Sequence, residues 1–150
     1  MRVTFRGSIA TGCLLVWGLC QGLVAESAET TLPSLDQRFA PADVQEAPSF
    51  QRHVVPLLSR LGCNGRACHG SFQGRGGFRL SLFGYDFASD HAALFDAESP
   101  RVDTKQPLES LILNKPTNAD NHEGGLRYKK DGWEYQVLRR WVENGASFDA

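Results

Sequence analysis

The sequence predicts a mostly α-helical domain, and three features predict it. Amphipathic stretches at residues 50–61 and 133–142 bracket the region, and a glycine-punctuated segment of irregular pattern joins them. The cluster Cys63-Asn64-Gly65-Arg66-Ala67-Cys68-His69 follows the first stretch directly.

In that first stretch Phe50, Val54, Leu57, Leu58 and Leu61 recur at the spacing of one helical face, with Ser49 placed to cap the start. Pro56 lacks a backbone donor, so a kink or a late start is expected there. In the last stretch Trp133, Val137, Leu138, Trp141 and Val142 form an apolar face. Asp131 with Glu134 three residues on reads as a capping box, and Asn144-Gly145 as the stop. Helices this short are marginal alone in water, so the two faces are expected to pack on one another or on a shared apolar body. Between them residues 78–83 alternate like a short strand, 89–95 suit a turn or two of helix, and 108–113 suit a short apolar helix ended by Lys115-Pro116. So little regular structure over this length is expected where a bound cofactor supplies part of the core.

The ends of the domain follow from composition. Arg2 and Arg6 precede an apolar run at 9–20 that relaxes into Gly22-Leu23-Val24-Ala25, which reads as an export leader over 1–25. The run is too short and too rich in glycine for a membrane span of about 20 residues, so the mature chain is expected to carry no integral span. Residues 26–47 carry acidic side chains and prolines with few large apolar groups, and read as a linker, leaving 48–147 as one domain. The chain is expected in the periplasm or outside the cell, with membrane association left open. Its formal net charge of −1, with both signs mixed, offers no electrostatic case for nucleic acid or an anionic membrane surface as partner.

Removal of the leader takes Cys13 and Cys20 with it, so Cys63 and Cys68 need a use together. A cysteine pair followed at once by histidine is the ending of a c-type haem attachment motif, here with four residues between the cysteines in place of two. In such a site both thiols add to the vinyl groups of the porphyrin and the histidine, here His69, binds the iron. Asn64-Gly65 is the dipeptide that most readily takes positive φ, so the wider loop is expected to bulge outward there. Three other readings stay open: a small-loop Cys63–Cys68 disulfide, a zinc site to which this cluster offers three ligands of four, and a catalytic cysteine.

A second axial ligand cannot be methionine, since Met1 is the one methionine and lies in the leader. His53 precedes the cluster on the same helix and reads as a solvated or core-edge residue, and His91 as plain surface. His122 is favoured, because its loop carries Gly124 and Gly125, which let backbone approach a flat ring, and it can arrive from the face opposite His69.

With these residues in view, the chain from Phe50 to Ala146 resembles the cytochrome c-like domains near the N-terminus of large secreted planctomycete proteins. The resemblance rests on residues 50–58, Cys68-His69-Gly70, Gly76-Gly77-Phe78-Arg79-Leu80, residues 107–113 and residues 138–146. It implies one covalent haem c on Cys63 and Cys68, His69 as proximal iron ligand, and His122-Glu123-Gly124-Gly125 as the distal element. Glu123 stands where that family has a glycine.

The expected fold is therefore that of a class I cytochrome c, with N- and C-terminal helices packed together around a loop-wrapped haem. His/His ligation leaves no open position on the iron, which favours electron transfer with a redox partner over catalysis, at a potential below that of a His/Met cytochrome. Arg75, Arg79, Arg127 and Lys129 are the candidate partners for the haem carboxylates. The alternatives are an open-iron peroxidase or gas-sensing domain, and a haem-free, disulfide-linked binding or spacer module.

Overall fold

A computed structural model describes residues 31–39 and 46–149. The leader read at 1–25 and, within the linker, residues 26–30 and 40–45 lie outside them. All that follows belongs to one compact unit, Leu32–Ala150. Every regular element among the described residues is helical. They are α1 (Leu35–Phe39), a π-helical turn (Phe50–Val54) running into α2 (Val55–Arg60), α3 (Phe87–Leu94), α4 (Leu111–Asn114) and α5 (Trp133–Glu143). Short 3₁₀ turns sit at Leu82–Gly84 and Pro107–Glu109.

The entry helix starts as its sequence requires: the Ser49 hydroxyl accepts from the Arg52 amide at 3.0 Å. Pro56 explains the widened first turn. The Val54 amide reaches back five residues to the Ser49 carbonyl at 3.2 Å, which sets Pro56 in the first turn of α2, where its missing N–H breaks no bond. The helix stops on Gly62, whose φ of +76° belongs to the left-handed region. The Gly62 amide bonds the Ser59 carbonyl (3.0 Å) and the Cys63 amide bonds that of Leu58 (2.9 Å), the paired closure of a Schellman motif. Helix α5 ends the same way, with Gly145 bonded to Val142 (3.0 Å) and Ala146 to Trp141 (2.8 Å).

Three local expectations need correction. Asp131 does not cap α5: Gly132 holds the N-cap position without a side-chain bond, and the Glu134 carboxylate folds back over Gly132. Residues 78–83 form no strand, because their amides have no neighbouring strand to pair with; Leu80 donates to the His69 carbonyl (2.8 Å) and Phe83 to that of Asn64 (3.1 Å). The apolar segment 108–113 is broken at Ser110, whose hydroxyl accepts from the Asp103 amide at 2.9 Å. Within the stretch read as linker, α1 packs on α5 and buries Phe39 completely.

The two ends of the domain meet. Phe50 stacks on Trp141 with ring centroids 5.4 Å apart, while Val54, Leu57, Val137 and Leu138 close the core around them. Each such side chain, fully buried, contributes about 1.5–3 kcal/mol. Asp149 adds a polar clasp, accepting from the Ser49 hydroxyl and from the Phe50 and Gln51 amides, each at 2.8 Å. The last turn of the chain thus caps its first long helix.

Candidate functional site

Cys63, Cys68, His69 and His122 all line one cavity of about 470 Å³. Its walls are largely apolar, with Leu58, Phe78, Leu94 and Ile112 among them. That volume lies in the range of small-molecule and cofactor sites.

The cysteine turn is built on the Schellman stop, which aims Cys63 back at the core. The wide interval then closes on itself: the Cys68 amide bonds the Gly65 carbonyl (3.0 Å), His69 bonds Cys63 (2.9 Å) and Gly70 bonds Gly65 (3.1 Å). A Cβ on Gly70 would fall 2.0 Å from the Asn64 carbonyl oxygen, so the turn requires glycine there. The expected outward bulge at Asn64-Gly65 is corrected on two counts. Positive φ falls on Gly62 instead. Asn64 folds inward, 1% exposed, and donates to the Ser59 hydroxyl at 2.7 Å; only Arg66 and Ala67 at the tip are exposed.

Both cysteines are free thiols. Burial pushes the Cys63 thiol up to about 11, with the Arg127 guanidinium opposing it. Arg127 reaches the second sulfur, its Nη2 lying 3.7 Å from Cys68 Sγ.

His69 Nδ1 lies 3.0 Å from the Phe78 carbonyl oxygen and 3.1 Å from that of Arg75. His122 Nδ1 lies 2.8 Å from the Gly125 carbonyl oxygen, and the Gly125 amide bonds back to the His122 carbonyl at 2.7 Å. Carbonyls only accept, so each ring carries a proton on Nδ1. Burial holds the His69 imidazole below its ordinary value, against the opposing bonds from the Phe78 and Arg75 carbonyls. The two rings stand 6.3 Å apart, centroid to centroid, with 21° between their planes. Two imidazoles sharing one metal through bonds of about 2 Å have centroids on the order of 6 Å apart. Anchoring of Nδ1 by a carbonyl is the usual outer support of a histidine ligand.

The other histidines are committed elsewhere. His53 is buried, accepts from the Ser49 amide through Nδ1 (2.9 Å) and meets Phe39 edge-on, at the core edge as one reading had it. His91 is not plain surface: Nε2 donates to the Ala146 carbonyl at 2.8 Å, and the ring packs against Phe50 and Phe95.

Four cations line the cavity, Arg75, Arg101, Lys115 and Arg127, with the Glu123 carboxylate 4.0 Å from Arg75. Arg79 lies over Phe72 instead, and Lys129 is not among the lining residues. Arg101 and Lys115 were not foreseen, because each sits in a polar loop whose spacing carries no periodic signal. Arg101 is held by the Gly76 carbonyl (2.8 Å) and Lys115 by that of Asn121 (2.8 Å).

Among the described residues no three cysteine, histidine or acidic side chains converge as a metal site. Nor is any described helix long and apolar enough to cross a membrane. Compared with known proteins, the chain matches no family model, no curated protein and no solved structure.

Proposed function

We propose that this chain is an exported c-type haem protein that passes electrons, in which Cys63 and Cys68 would hold haem c and His69 and His122 would bind its iron. One observation carries the reading. Both thiols and both imidazoles line a single cavity, and the two ring centroids stand 6.3 Å apart, an interval suited to one shared metal. Four donors that share a cavity without converging suit a planar group that brings its own equatorial nitrogens. They do not suit a bare zinc ion.

When bound, the group supplies one-electron redox chemistry. The chain's residues supply the rest. Carbonyls of Phe78, Arg75 and Gly125 hold the Nδ1 protons and aim both rings. Leu58, Phe78, Leu94 and Ile112 keep water from the site, which lowers the local dielectric. Arg75, Arg101 and Lys115 offer positive charge to the haem carboxylates. The class I cytochrome c arrangement is part of the proposal, supported by the packing of α5 on the entry helix ahead of the cysteine turn.

The test is export from a strain that attaches haem, followed by a pyridine haemochrome spectrum and an intact mass. A haemochrome and a chain heavier by one haem are expected. A colourless chain two hydrogens light would overturn the reading in favour of a Cys63–Cys68 disulfide.

A further inference from the structure

We propose that Arg127 is a positioning residue, which locks the cysteine turn to the His122 turn and thereby sets the interval between His69 and His122. The functional consequence rests on the haem reading; the mechanical claim does not. Arg127 Nη1 lies 3.4 Å from the Leu61 carbonyl at the end of α2, and Nη2 lies 3.7 Å from Cys68 Sγ. One guanidinium therefore touches the start of the cysteine turn and its second sulfur together.

Its other side meets the histidine turn. A Cβ on Gly124 would fall 3.3 Å from Arg127 Nη2 and 2.8 Å from His122 Cε1, so the guanidinium and the imidazole edge both pack on the bare backbone of Gly124. The Arg127 amide bonds the Pro116 carbonyl at 2.8 Å, which fixes the base of the same loop to the chain leaving α4. A second link between the turns, Arg75 to Glu123 at 4.0 Å, has side chains 60% and 90% exposed, where an ion pair contributes little. Arg127 is half-buried, and its planar fork can address two acceptors and a backbone face at once, whereas lysine offers a single point charge.

Amide hydrogen exchange on the exported wild type, R127Q and R127K tests this, with R79Q as the control outside the cavity. R127Q should speed exchange of the His69 and Gly125 amides by about tenfold, while amides at 137–142 and the R79Q protein stay unchanged. R127K should recover only part of that protection. In haem-carrying protein, R127Q should gain a high-spin fraction and bind carbon monoxide about tenfold faster than wild type. Wild-type protection at both turns in R127Q, or an unchanged spectrum with inert iron, overturns the proposal. Should R127Q fail to fold, G124A attacks the same contact from the histidine side; unaltered Gly125 exchange there overturns it equally. A wild type without haem defeats the haem reading alone, and the exchange comparison still decides the role of Arg127.

Discussion

His69 and His122 stand 6.3 Å apart, centroid to centroid, with Nδ1 of His69 tied to the Phe78 carbonyl and Nδ1 of His122 to that of Gly125. Neither ring depends on the other for its orientation. The pair is set by two separate glycine-containing turns, so each member can be removed without dismantling its partner's support.

On the proposed haem reading, replacement of His122 by alanine should leave covalent haem in place and open one side of the iron. The expected outcome is a low-spin to high-spin change in the absorption spectrum and the onset of carbon monoxide binding. His122→Met should instead raise the reduction potential. A low-spin, unreactive His122→Ala protein would show that another group holds that position.

Gly70→Ala should be far more damaging than Gly76→Ala. The first places a Cβ 2.0 Å from a backbone carbonyl, and the second meets nothing within 4 Å. Overpacking costs about 1–3 kcal/mol and more where backbone is the obstacle, against about 1–2 kcal/mol for alanine at the positive φ of Gly76. Urea unfolding of the two variants measures the difference, and equal midpoints would refute the tight-turn account.

The clasp between Asp149 and the entry helix predicts an acid-sensitive contribution. Burial favours the protonated carboxyl, but the bonds from the Gln51 amide, the Ser49 hydroxyl and the Phe50 amide outweigh it and hold Asp149 below its usual 3.8. A depressed carboxylate stabilises the fold above the unfolded value, and that stability disappears as pH falls through the folded one. Asp149→Ala should cost about 1 kcal/mol at pH 6, the worth of a lost helix cap. The gap between variant and wild type should shrink toward pH 3 in denaturant titrations.

His53 gives a second pH effect at higher pH. Burial, and then the nearby Arg38 guanidinium, hold its imidazole below 6.5. As pH falls below that value the unfolded chain takes up a proton that the folded chain refuses, so stability declines. Melting temperatures at pH 7.5 and 5.5 should show the decline, and His53→Gln should reduce it. A variant with the same slope as wild type would remove His53 from the account.

The two long helices, the Ser49 cap, the Pro56 irregularity and the Asn144-Gly145 stop were legible in the sequence, since each depends on groups a few residues apart. Both members of the histidine pair and both thiols were legible as candidates, from the motif ending and from the glycines after His122. The false strand at 78–83 shows the limit. Its alternation is real, but the partners of its amides are the carbonyls of His69 and Asn64, which no local pattern announces.

Local chemistry by itself determined which residues carry reactive groups and where the two amphipathic helices lie, because hydrogen-bond reach and side-chain periodicity are short-range. Only the tertiary structure decided that four donors share one cavity, that Arg101 and Lys115 join them, and that Asp149 returns to cap Phe50. Those outcomes depend on how buried apolar faces bring distant turns together, and packing of that kind is settled by the whole chain at once.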